Sequence, residues 1–105
     1  YSARISHPNV RLPKEGGDDY VAHLYVVHCQ QRDKLRGHLR TMEIASDIHY
    51  PIPDYRQPVF GNTYSDVRLE ITEKLSNEIL TLPCYPEMSN DEVSAVIVAV
   101  NGWQA

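Results

Sequence analysis

The stretch Val21-Ala22-His23-Leu24-Tyr25-Val26-Val27-His28-Cys29, followed at once by Gln30 to Glu43, decides the fold. The first part is almost continuously apolar and rich in β-branched and aromatic residues, the pattern of a strand covered on both faces, and it is expected to be the central strand. In the second part Leu35, Leu39 and Met42 recur at i, i+4 and i+7, which predicts a helix with those three residues on its buried face. Arg32, Arg36 and Arg40 form another stripe, read as a solvated face in preference to a phosphate grip. Asp33 falls in the first turn, where the helix dipole favours an acid.

Outward from this unit, Ile44 to Tyr50 has the composition of a second strand. It is ended by Pro51 and Pro53, which cannot donate to a ladder, so residues 51–67 are expected to form an external polar loop. Leu69, Ile71, Leu75 and Ile79 suit a short helix beginning near Thr72, and Leu80 to Pro83 a short extended segment. Ser89 precedes Glu92 by three residues, a capping-box signature, and Val93, Val96, Ile97 and Val100 then mark a last helix to about Asn101. Strands alternating with helices place the chain in the α/β class. The expected architecture is a small two-layer sandwich, with a short, mostly antiparallel or mixed sheet and helices packed on one face. Residues 1–20, broken by Pro8, Pro13, Gly16 and Gly17, read as a linker outside the core, and residues 21–105 as the folded domain.

The bulk properties narrow the function. At 105 residues with 42% apolar and 23% charged residues, the chain has the composition of one small globular domain. A formal charge of −4 argues against nucleic acid as a partner, because phosphate binding draws on clustered Lys and Arg. No apolar run approaches roughly 18 residues and no signal-peptide pattern opens the chain, so no membrane partner and a cytoplasmic location are expected. Cys29 and Cys84 lie in no C-x-x-C pairing and read as reduced structural thiols. The five histidines lack metal-ligand spacing: His23 and His28 fall on opposite faces of a strand, and no pair sits at i, i+4 on a helix. No nucleophile elbow, phosphate-binding P-loop or dinucleotide-binding turn is present. The densest polar and aromatic segment is His49-Tyr50-Pro51-Ile52-Pro53-Asp54-Tyr55-Arg56-Gln57-Pro58. Its prolines lower the entropy lost on ordering, and its imidazole, phenol, guanidinium and amide groups suit sugar hydroxyls and phosphates. A plain connector has the same composition.

Several runs in order resemble the carboxy-terminal domain of the DegT family of sugar aminotransferases: Leu24-Tyr25-Val26-Val27, Arg32-Asp33, Ile48-His49-Tyr50-Pro51-Ile52-Pro53, Thr72-Glu73-Lys74-Leu75-Ser76, Leu80-Thr81-Leu82-Pro83 and Met88-Ser89. The resemblance implies a homodimer in which a large domain holds pyridoxal phosphate on a lysine and a small domain closes over a nucleotide-sugar substrate. The implied reaction moves an amino group from glutamate to a nucleoside-diphosphate-linked keto-deoxy sugar, with deoxythymidine-diphosphate sugars the nearest match. It assigns His49 and Tyr50 to the sugar-nucleotide side of the site, with Tyr55 and Gln57 on the same loop. Ala45-Ser46 and Tyr55 depart from the family's usual residues. None of Lys14, Lys34 and Lys74 matches the family's Schiff-base segment, so no catalytic residue is expected on this chain. Together with a first residue that is Tyr1 and not Met, this reads as a fragment, inactive alone and of marginal stability. The alternative is a stand-alone, non-catalytic small-molecule or protein-interaction module of the same fold.

Overall fold

A computed structural model of the protein describes residues 1–21 and 23–105. Two strands, β1 (Tyr25–His28) and β2 (Ile79–Leu82), pair antiparallel with Val27 opposite Leu80. Among the described residues three α-helices accompany them, α1 (Arg32–Thr41), α2 (Glu70–Glu78) and α3 (Asn90–Asn101), and α1 packs on both β2 and α3. The expected small α/β sandwich is therefore present in a minimal form, its two strands extended on either side by single bridges, Arg11 to His28 and Asp47 to Thr81.

The core is assembled from every element but α2. Val27, Leu35, Leu39, Leu80, Leu82 and Val100 are fully buried, and Val96, Ile97, Ala99 and Trp103 complete the layer under α3. At the start of α3 the Glu92 N–H donates to Ser89 Oγ at 3.1 Å, as the capping signature predicts. Residues Ile5 and Val10 also belong to the core, which corrects the expectation that residues 1–20 stay out of it. That segment is fastened at both ends of the fold: the Tyr1 hydroxyl donates to Pro83 O at 2.6 Å, and Asn101 joins Ser6 N and Arg4 O at 2.9 Å each. Among the described residues, no helix is long and apolar enough to cross a membrane.

The first strand is shorter than its composition suggests. Val21 and His23 lie outside it and are exposed, and Ala22 is outside the described residues. The partner sets this limit: Tyr25 pairs with Leu82, so further pairing would fall on Pro83, which has no N–H. At the other end the Cys29 N–H already bonds Glu78 O at 2.8 Å. The more buried strand is β2 and not β1.

Ile44 to Tyr50, expected as a strand, makes only the Asp47–Thr81 bridge, with bonds of 3.1 and 2.7 Å. Residues 79, 81 and 83 turn their backbone groups to the same side. On that side Ile79 O accepts from Arg32 Nη1 at 3.2 Å and Pro83 O accepts from Tyr1, so Thr81 alone is open for pairing.

Two residues of the first helix also differ from expectation. Met42 is exposed beyond the last turn, because the chain reverses at Glu43 with φ 59°; Glu43 N bonds Arg40 O and Ile44 N bonds Leu39 O, a Schellman closure built without glycine. Arg32 is not on a solvated face. It is 8% exposed and donates to Ser76 O at 3.0 Å and Ile79 O at 3.2 Å, satisfying carbonyls that the end of α2 leaves unpaired. Arg32→Ala is therefore expected to cost about 2–3 kcal/mol, since two inward carbonyls lose their donor. Arg40→Ala, on the exposed side, is expected to change stability by less than about 0.5 kcal/mol. Urea denaturation of both variants checks the contrast, and equal losses would place Arg32 back on the surface.

Candidate functional site

After the single bridge at Asp47, the chain runs through His49 into a loop stiffened by Pro51, Pro53 and Pro58. Two short 3-10 turns, Asp54–Arg56 and Pro58–Phe60, give the loop its shape, closed by Arg56 N to Pro53 O at 2.9 Å and Gly61 N to Pro58 O at 3.0 Å. Proline at the first position of the second turn supplies the required φ without sacrificing a donor. Between this loop and α2 lies a cleft of about 370 Å³, lined by Tyr50, Ile52, Pro53, Asp54 and Gln57 from the loop and by Thr72, Leu75, Ser76 and Ile79 below.

Of the four residues the sequence points to, Tyr50 and Gln57 line this cleft together. Tyr50 is 69% exposed, and Gln57 Nε2 donates to Ile52 O at 3.0 Å, leaving its amide oxygen free of any partner among the described residues. His49 stands beside them and not in the cleft. Its Nδ1 is 2.9 Å from Thr81 Oγ1 on β2, Asp47 Oδ2 is 3.9 Å from its Nε2, and its ring meets Tyr50 edge-on at 5.3 Å. Tyr55 turns away from the cleft, its hydroxyl donating to Glu73 Oε1 at 2.7 Å. Arg56 donates to the same carboxylate oxygen at 3.0 Å and to Val67 O at 2.7 Å.

Thr72 and Ser76, which line the cleft, and Glu73, which holds Tyr55 and Arg56, are residues that spacing did not single out. They lie some distance along the chain from the loop, and only their place in the Thr72-to-Ser76 run of the resemblance marks them.

A second, polar cleft of about 340 Å³ opens at the sheet edge, lined among others by Arg11, His28, Lys74 and Glu78. Arg11 Nη2 donates to His28 Nδ1 at 3.0 Å, so the imidazole is neutral at that nitrogen. Burial, then the Arg11 charge, holds His28 below the ordinary imidazole range; Glu78, 3.9 Å away, opposes this more weakly, and Lys74 adds to the lowering.

A cofactor carried as a Schiff base needs a desolvated amine. Lys14, Lys34 and Lys74 are all exposed, so the lysines of this chain do not fit that role.

The fold and the loop together define a small α/β domain that presents a largely apolar cleft, edged by Tyr50, Asp54 and Gln57, beside a short sheet. The profile of the DegT/DnrJ/EryC1/StrS aminotransferase family matches residues 4–101, and the chain belongs to that family. It is 34% identical over 104 residues to dTDP-3-amino-3,6-dideoxy-alpha-D-galactopyranose transaminase of Aneurinibacillus thermoaerophilus, covering 98% of this chain and 28% of that protein. DesV of S. venezuelae, solved in complex with a ketimine intermediate, has TM-score 0.83 and 31% identity over 97% of this chain and 28% of its own. NtdA of Bacillus subtilis with bound cofactor PMP has TM-score 0.75 and 26% identity over 89% of this chain and 22% of its own. The chain thus spans about a quarter of the length of the relatives it matches.

Because the unfolded chain protonates its histidine near pH 6.5 while folded His28 resists protonation, the stability this site contributes is present above that pH. It is lost as pH falls through the folded value. Urea midpoints measured from pH 8 to 5 are expected to fall more steeply in the wild type than in His28→Gln, and parallel curves would remove His28 as the cause.

Proposed function

We propose that this chain is the carboxy-terminal small domain of a pyridoxal-phosphate-dependent aminotransferase that moves an amino group from glutamate to a nucleoside-diphosphate-linked keto-deoxy sugar. Tyr50 and Gln57 contact the sugar nucleotide, His49 orients Tyr50 through Thr81, and Tyr55 holds the loop. The observation that carries this reading is the cleft between the proline-stiffened loop and α2, in a chain whose family membership spans residues 4–101. The Aneurinibacillus relative is named for a dTDP-linked amino sugar, which favours a dTDP-linked sugar here.

The cofactor is held by a large domain outside these residues, and the whole enzyme works as a homodimer. The exposed lysines support the first point. So does the run of uncovered apolar side chains between residues 50 and 71, with Val59 at 84% and Ile71 at 77% exposure alongside Tyr50, Phe60 and Leu69. A neighbouring domain would cover these side chains.

The test is turnover. The intact polypeptide that carries these residues, supplied with pyridoxal phosphate, glutamate and a dTDP-linked keto-6-deoxy sugar, is expected to yield 2-oxoglutarate and the amino sugar. Borohydride reduction of the loaded enzyme is expected to label no lysine within residues 1–105. Gln57→Ala and Tyr50→Phe are each expected to raise the sugar KM about fivefold, the equivalent of a hydrogen bond of about 1 kcal/mol. Unchanged KM in both variants would take the cleft out of the substrate's path.

A further inference from the structure

The loop that carries Tyr50 and Gln57 has little of its own to hold it. Its backbone hydrogen bonds from Arg56 to Val67 all reach back three residues, to Pro53, Asp54, Gln57, Pro58, Phe60, Asn62 and Tyr64, so they shape turns without tying the loop to the body. No residue from Tyr50 to Asp66 is buried. Side chains must therefore do the fastening. Among the described residues, the hydrogen bonds from residues 50–66 to any helix or strand end on one group, the Glu73 carboxylate of α2.

That attachment is compact. A single oxygen, Oε1, accepts from the Tyr55 hydroxyl at 2.7 Å and from Arg56 Nη2 at 3.0 Å. The Arg56 guanidinium lies 5.1 Å from the centre of the Tyr55 ring and also donates to Val67 O, so the far end of the loop is drawn to the same point. Thr72, next to Glu73 on α2, and Leu75 on the same helix line the cleft, as do Asp54 and Gln57, the neighbours of the Tyr55–Arg56 pair. The anchor and the cleft walls are thus adjacent on both sides, and moving one moves the other.

We propose that Glu73 is a positioning residue: its carboxylate fixes Tyr55 and Arg56 and thereby sets the distance between the loop wall of the cleft, with Tyr50 and Gln57, and its α2 floor. This rests on the reading that the cleft takes the nucleotide sugar. The hydrogen bonds from Tyr55 and then Arg56 hold the Glu73 carboxyl below the usual carboxylate range. The anchor is accordingly present above the ordinary carboxyl range and is lost as pH falls through the folded value.

The experiment compares Glu73→Ala and Glu73→Gln in the intact protein by two readouts. Hydrogen exchange at the Arg56, Gln57, Phe60 and Gly61 amides is expected to rise about tenfold or more in Glu73→Ala, while Val27 and Leu80 in the sheet keep their protection. In steady state the sugar KM is expected to rise about tenfold, with kcat and the amino-donor KM within about twofold, because only the sugar meets the loop. Glu73→Gln keeps an acceptor for Tyr55 without the charge facing Arg56, and its values are expected to fall between wild type and alanine. Unaltered loop exchange in Glu73→Ala overturns the anchor. A loosened loop with an unaltered sugar KM overturns its role in positioning, and so does a parallel rise in both KM values. If the wild-type enzyme turns over no nucleotide sugar, the functional reading fails, and the exchange comparison alone decides whether Glu73 holds the loop.

Discussion

Strand β2 is four residues long, and nearly every hydrogen-bonding position along it is taken by a different part of the molecule. One edge pairs with β1; on the other, Arg32 of α1 takes Ile79 O, Asp47 takes both backbone groups of Thr81, and Tyr1 takes the adjacent Pro83 O. Its side chains do the same work in apolar terms, with Leu80 and Leu82 fully buried in the core that α1 and α3 close. Inward backbone groups must be satisfied, so a strand with this many takers limits the length of everything beside it. β1 stops where Pro83 begins, and residues 44–50 cannot extend a ladder past a single bridge.

This is why the helices were more legible in the sequence than the strands. The periodicity of Leu35 and Leu39, the Ser89–Glu92 cap and the Val96, Ile97, Val100 stripe are local signals, and each element forms where its signal lies. The extent of a strand is set by its partner. Ile44 to Tyr50 has strand composition, but whether it pairs depends on Arg32 and Tyr1, which are separated from it in sequence and carry no mark of the carbonyls they will reach. Arg32 is the sharpest case: it repeats at helical spacing with Arg36 and Arg40, so spacing alone assigns it to solvent, whereas its place just after β1 brings it over the end of α2. The opening segment misleads for a related reason. Its prolines and glycines exclude regular structure, yet Ile5 and Val10 need none in order to be buried.

For the site, composition pointed to the loop as one of two readings, and Tyr50 and Gln57 line the cleft beside α2. His49 and Tyr55 are close by but face Thr81 and Glu73. Residue type shows which groups can bond a polar ligand; it does not show which of them are already committed to the protein. Tyr55 and Gln57 are two residues apart in one proline-rich run, and the turn at Asp54–Arg56 sends one toward α2 and the other into the cleft.

The two ends of the loop are held by different means, and that difference bears on function. At His49 the attachment is to Thr81, at the middle of the most constrained strand, so this end inherits the rigidity of the sheet. Beyond Pro51 the attachment passes through long side chains on a carboxylate that is itself partly exposed. A side-chain attachment of that kind fastens the loop but leaves it more freedom than a contact to a packed strand, which moves only if the core moves. The cleft therefore has a fixed edge near Tyr50 and an adjustable one near Gln57. On the proposed reading, the sugar nucleotide is oriented at the first edge and its fit adjusted at the second, with no rearrangement of the core required.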